Sequence, residues 1–418
     1  MDHVSTNIDK SRSPIAIPYL ILLLVAVVGG AATLFALVNH GNEGANGTGD
    51  AVPVVKNLGA TSFTPKGPFG VGQTTLTLPS NGARVVVWYP ANPNDYHGQS
   101  ASYNVAALLP PALQKLEAGT APVIYPTGAI SNIGFASGRF PLVVFSHGFA
   151  GFATQSTFLT SHLASWGFVV AAPEHTDRDL TAVLNNFLAG KGLGGGTSND
   201  VTDLQNTIAL MANQNAIHGN RFYQHLDMNR VGAVGHSAGG SAVEKLAVVD
   251  PQVKVFVGLA GASVGAFGQT TTGAGASVPK VPGLIESGTA DQVVPTKTMV
   301  AAYNKLNQPK RFITLTNAGH LVFSDICQID PGQGGLIGLA EKINLPIPAQ
   351  LKPLGSDGCQ STDLAVTTAW PAITQSVTAE LRWALGFDTS QAGLQGLSQV
   401  FPGVVGVNTT ANTVAVPN

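Results

Sequence analysis

The sequence predicts an α/β fold: a mainly parallel, eight-stranded sheet with helices on both faces. Three observations predict it. After one hairpin, short apolar runs alternate with helix-length segments, as in a chain of β-α-β units. The runs are continuous rather than alternating, as strands buried on both faces require. One run, through Val231, Ala233 and Val234, leads straight into Gly235-His236-Ser237-Ala238-Gly239. A G-x-S-x-G segment in that setting is a sharp strand-to-helix turn.

Composition bounds the function classes. The chain has 418 residues, 44% hydrophobic and only 11% charged, with 49 Gly and 26 Pro. That describes a loop-rich protein with a large apolar core, not a disordered one. A net charge of −2, without a basic cluster, gives no footprint for nucleic acid. The two cysteines, Cys327 and Cys359, form no CxxC or Cys/His pattern, so no structural zinc is expected.

Residues 1–14 are expected to be a cytoplasmic N-terminus. Residues 15–38 are apolar and uncharged, long enough to span a bilayer as a helix. Lys10 and Arg12 precede the run, which keeps the N-terminus inside and exports the rest. The segment is a transmembrane anchor or, in the competing reading, a cleaved signal sequence. Either places the remainder outside the cytoplasm, where Cys327 and Cys359 can pair; the alternative is two free, buried thiols. Residues 39–66 read as a linker, 67–386 as the catalytic domain and 387–418 as a weakly patterned tail.

Within the domain, Gln73–Leu78 and Ala83–Tyr89 flank a Pro-Ser-Asn-Gly turn and predict a hairpin. Residues 90–138 read as an insertion with one helix near 106–117. Phe140–Ser146 predicts a buried strand, 156–165 a helix and 168–172 a strand. Residues 200–213 predict a helix with acidic residues in its first turn. The strand into Ser237 and a helix to about Val248 follow. Strands are expected at 253–259, 282–286 and 311–315, with a Gly-rich loop at 260–280 and a helix at 296–305. A long loop holds both cysteines, and 364–385 predicts a final helix bearing Pro371.

Ligands of such sheets sit beyond the carboxyl ends of the strands. Three of those ends carry a serine, an aspartate and a histidine in the chain order of the α/β-hydrolase fold. Ser237 is the candidate nucleophile, which needs an adjacent base to become reactive. His320, in Asn317-Ala318-Gly319-His320, is the candidate base. Asp291, in the turn after 282–286, is the candidate orienter of His320, with Glu286 its nearest rival. The backbone N–H groups of Ala238 and of Phe149, in His147-Gly148-Phe149-Ala150-Gly151, are the candidate oxyanion donors. His147 reads as structural. Glu174, His175 and Asp177 lie close in sequence but lack a partner cluster, so no metal is expected there.

FPLVVFSHGFAGFATQSTFLTSHLASWGFVVAAPEHTDR at 140–178 resembles the platelet-activating factor acetylhydrolases and their dienelactone-hydrolase-like relatives. VVVWYP at 86–91, RVGAVGHSAGG at 230–240 and GHLVFSD at 319–325 fit the same family. GPFGVGQTTL and LASWGFVV are similar, more loosely, to cutinase-like polyester hydrolases. The chain departs from the family pattern at Ala238 and Thr176. The resemblance implies a cofactor-free Ser-Asp-His esterase. The expectation is an extracytoplasmic serine ester hydrolase acting on a lipid, small acyl or polymer ester. A thioesterase or amidase would use the same triad, and a non-catalytic hydrolase-fold binding protein is the remaining alternative. Oligomeric state is not legible.

Overall fold

The computed structural model describes residues 51–416, apart from 93–96, 116–121, 195–198, 263–276, 330 and 332–333. The expected N-terminal segment, the apolar run at 15–38 and the start of the linker lie outside these residues, as does most of the 260–280 loop. Among the described residues no helix is long and apolar enough to cross a membrane.

The strands are β1 (Gly70–Thr77), β2 (Arg84–Ala91), β3 (Ser100–Asn104), β4 (Ile124–Ser131), β5 (Phe140–Ser146) and β6 (Val169–Pro173). They continue as β7 (Leu226–His236), β8 (Val253–Leu259), β9 (Gly283–Gly288), β10 (Lys310–Leu315) and β11 (Val405–Thr409). All join one 11-stranded sheet in the order β11-β10-β9-β8-β7-β5-β6-β2-β1-β4-β3. The block from β10 to β6 is parallel throughout. β11 and β2 close it with antiparallel pairings. The sheet is therefore mixed and larger than the eight strands expected. The additional strands come from the insertion (β3 and β4) and from the tail (β11). β4 carries Pro126, which pairs only with Ser102 of β3. β1 reaches β4 only at Ile130 and Ser131, so the missing proline N–H breaks no ladder on that side.

The helices are α1 (Pro111–Gln114), α2 (Thr157–Ser165), α3 (Leu180–Leu188), α4 (Asp200–Ala216) and α5 (Ala238–Val249). They continue as α6 (Thr296–Lys305), α7 (Gly335–Lys342), α8 (Leu351–Ser356), α9 (Val366–Ala384) and α10 (Leu397–Val400). The helix expected at 106–117 is instead a 3-10 turn (Val105–Leu108) and the short α1, because Pro110 and Pro111 interrupt it.

Period-two alternation divides the sheet's side chains between two apolar layers. Trp88, Val143 and Phe145 join the layer containing α2 and α9 residues; Val87, Leu142 and Val144 join that of α4, α5 and α6. Residues flanking the predicted domain also enter the core. Phe63 is fully buried, and its N–H donates to Gln375 Oε1 of α9 at 2.7 Å. From the tail, Leu394, Leu397 and Val405 are buried.

Candidate active site

The parallel block ends its strands on one edge, and three of those ends supply the site. β7 runs to His236, and α5 starts at Ala238. Ser237 between them has φ 57 and ψ −121, a region that a non-glycine residue enters only under strain. The turn is tight. A Cβ on Gly235 would lie 2.1 Å from Gly239 O, and one on Gly239 would lie 2.1 Å from Ser146 O. Glycine is required at both places by close backbone approach.

Ser237 Oγ lies 2.8 Å from His320 Nε2, and His320 Nδ1 lies 2.9 Å from Asp291 Oδ2. With Nδ1–H donating to the carboxylate, Nε2 accepts the serine proton. Asp291 Oδ1 also accepts from the N–H groups of Val293 and Val294, at 2.9 and 2.7 Å. These bonds hold the carboxylate in place. The rival Glu286 is fully buried and takes a hydrogen bond from Ser376 Oγ of α9 at 2.5 Å. Burial pushes its carboxyl up to about 8, well above the ordinary range. It belongs to the core and does not face His320.

Ala238 is the first residue of α5, where a helix N–H has no intrahelical acceptor. Phe149 lines the same cavity as Ser237 and His320. Its loop is tied on both sides. Gly148 N–H donates to Gln155 Oε1 at 2.9 Å, and Ala150 N–H donates to Arg178 O at 2.8 Å.

Three positioning side chains escaped the sequence reading. His236 lies between the two loops of the site: Gln155 Nε2 donates to its Nδ1 at 2.9 Å, and its Nε2–H donates to His320 O at 3.1 Å. Burial, and then the nearby His320, lower its pKa well below the usual value. A neutral ring fits that donor and acceptor pattern. Asp357 Oδ2 accepts from the N–H groups of His320 and Gln292, at 3.2 and 3.0 Å, and so joins the histidine and aspartate loops. Asp325 accepts from Thr157 and Phe158 at the start of α2, and burial pushes its carboxyl up to about 7. Asp325 and Asp357 share one sequence signal, each standing two residues before a cysteine of the pair Cys327 and Cys359. Cys327 and Cys359 form a disulfide, with S–S 2.04 Å, that closes the loop carrying α7 and α8.

A second histidine cluster lies beneath the Phe149 loop. His175 Nε2 is 2.8 Å from Ser146 Oγ, and His175 Nδ1 is 3.1 Å from Asp203 Oδ2. Arg178, fully buried, donates to Asp200 at 2.9 Å, to the carbonyls of His147 and Gly148 at 2.6 and 2.7 Å, and to Ser146 Oγ at 3.1 Å. His147 Nδ1–H donates to Gly148 O, so its Nε2 accepts the His175 N–H at 3.0 Å. The expected structural role of His147 is visible in these bonds.

Residues 66–191 match the family described as platelet-activating factor acetylhydrolase, isoform II. A chicken (Gallus gallus) platelet-activating factor acetylhydrolase is 38% identical over 96 residues, covering 23% of this chain and 22% of the relative. The chain thus aligns with under a quarter of that relative's length. The family match takes in the Phe149 loop, Ser146, His175 and Arg178, and stops short of Asp200, Asp203, Ser237, Asp291 and His320. By its sequence over 66–191 and the α/β sheet built around it, the chain resembles the platelet-activating factor acetylhydrolase-like α/β-hydrolases.

Proposed function

We propose that this protein is a serine ester hydrolase that works through an acyl-enzyme on Ser237 and acts outside the cytoplasm. The single observation that carries the reading is a strained Ser237 within 2.8 Å of a histidine that is itself within 2.9 Å of a carboxylate. His320 Nε2 takes the Ser237 proton as Oγ bonds to the ester carbonyl carbon. The oxyanion is held by the N–H groups of Ala238 and Phe149, each worth about 2.7–4 kcal/mol in the transition state. The C–O bond to the alcohol breaks as His320 returns its proton to the leaving oxygen. Water then attacks the acyl carbon, gives a proton to His320, and the acid leaves as Ser237 recovers its hydrogen. Asp291 stabilises the imidazolium in both halves.

The chicken relative is named for removing an acetyl group from platelet-activating factor, and from it we take lipid esters as the substrate class. Residues 15–38 anchor the domain to a membrane or direct its export. The test is labelling by a fluorophosphonate probe. Wild type should react and Ser237→Ala should not; a folded wild type that never reacts overturns the reading.

A further inference from the structure

The Ser237 cavity does not end at the triad. Its outer wall is apolar and includes Leu180, Leu336, Ile337 and Leu351. The same four side chains line a second cavity that runs on along α7 to Ile343 and Ile347. That groove has α3 and the Val105–Leu109 segment on one side and the disulfide-closed α7–α8 loop on the other. Its lining is hydrocarbon apart from backbone. Leu336, Ile337, Leu339, Ile343 and Ile347 are each only half-buried. A row of half-buried aliphatic side chains opening into a reaction site marks a place for an apolar ligand group.

We infer that the groove along α7 is the binding site for the acyl chain of the ester, and that the enzyme favours medium to long aliphatic acyl groups over acetyl. This rests on the esterase reading above. Its continuity with the Ser237 cavity places one end of a bound chain at the nucleophile. The chemistry says which end. His320 must protonate the leaving oxygen, so the alcohol lies on the side of the His320 and Asp291 loops. Neither the turn at 317–323 nor the one at 289–295 contributes a residue to the groove. It departs instead from Leu180, whose N–H donates to Gly151 O of the oxyanion loop. The substituent turned that way is the one that stays on the serine. α7, eight residues long, offers a wall of about 12 Å, enough for several methylene groups beyond the carbonyl.

The test is a chain-length series of p-nitrophenyl esters, from acetate through butyrate and octanoate to dodecanoate, on the full chain. Each methylene that enters the groove should raise kcat/KM roughly two- to fourfold until it is filled. Ile343→Trp places an indole across the far end. It should lower the dodecanoate-to-acetate ratio of kcat/KM about tenfold and shift the optimum to a shorter ester. A long-chain fluorescent fatty acid should bind Ser237→Ala with a Kd that Ile343→Trp, added to it, weakens. Two results overturn the proposal: a profile that is highest at acetate and falls with length, or an Ile343→Trp ratio equal to that of wild type. If Ser237 still reacts with the fluorophosphonate in those cases, only the acyl groove is lost. If Ser237 never reacts and no ester turns over, the esterase reading falls and takes the groove with it.

Discussion

Two Ser-His-Asp arrays of nearly the same hydrogen-bond geometry lie in this one molecule. In the first, His320 bridges Ser237 and Asp291 at 2.8 and 2.9 Å; in the second, His175 bridges Ser146 and Asp203 at 2.8 and 3.1 Å. Only their surroundings differ. Ser146 is the last residue of a buried strand and Ser237 stands alone at a strained turn facing a cavity. His175 is buried beside the Arg178 guanidinium, and burial first and that cation second push its pKa well below the ordinary value. A base that accepts a serine proton becomes a cation, which the second array resists. Distances alone therefore do not make a nucleophile; the hydroxyl must also face a cavity, as that of Ser237 does. The second array instead holds the Phe149 loop through Arg178, which donates to the carbonyls of His147 and Gly148.

Substituting the carboxylates should separate the arrays most strongly. Asp291→Asn should lower kcat by about 10⁴, because the imidazole loses its orienter and takes the wrong tautomer. Asp203→Asn should leave kcat within a few-fold and cost about 1–3 kcal/mol of stability. Equal kinetic damage from both, measured on folded protein, would abolish the distinction.

Gln155→Ala tests the link between the loops. It removes the acceptor of Gly148 N–H and the partner of His236 Nδ1 together. A misplaced oxyanion loop should lower kcat by roughly 10² with a smaller change in KM. A change confined to KM would mean that the bonds shape substrate binding instead.

The two arrays are also secured differently, one by Arg178 within the core and the other by the stapled segment ending at Cys359. Reduction, or paired Cys327→Ser and Cys359→Ser, should cost about 2–4 kcal/mol in a denaturant titration. It should also slow fluorophosphonate labelling, since Asp357 would no longer clamp His320 N–H firmly. Unchanged labelling in the reduced protein would confine the staple to stability.

The smallest expected effect concerns Glu286. Its folded-state pKa of about 8 lies above the unfolded value near 4.5, so its contribution to stability is full below about pH 4.5 and is lost as pH rises through about 8. Glu286→Gln keeps an acceptor for Ser376 and cannot ionise. The fall in Tm between pH 6 and pH 9 should therefore be smaller in the variant than in wild type; an identical fall would remove Glu286 as its cause.

Seven of the eight strands expected from sequence are those whose burial writes a continuous apolar run, β1 being marked instead by the turn that follows it, and the ends of four of them, β5, β7, β9 and β10, carry the predicted site. β3 and β11 are short, and all three of β3, β4 and β11 hold polar, Pro or Gly residues; their partners specify them more than their own pattern does. α3, absent from the expected elements, does carry a local signal. Asp179 precedes an apolar-patterned run and caps it, accepting from Ala182 N–H at 2.7 Å. The His236–Gln155 contact spans 81 positions and leaves no local mark. Glu286 belongs to the strand and Asp291 to the turn after it, which favours Asp291 already in the sequence; the fold adds its contact with His320.

The central claim is that Ser237, and not its buried counterpart, is the nucleophile. Mapping the site of fluorophosphonate attachment by peptide mass spectrometry, in wild type, Ser237→Ala and Ser146→Ala, tests it most directly. The account predicts an adduct on the Ser237 peptide in wild type and Ser146→Ala, and none in Ser237→Ala. An adduct on Ser146, or one that survives Ser237→Ala, would contradict it.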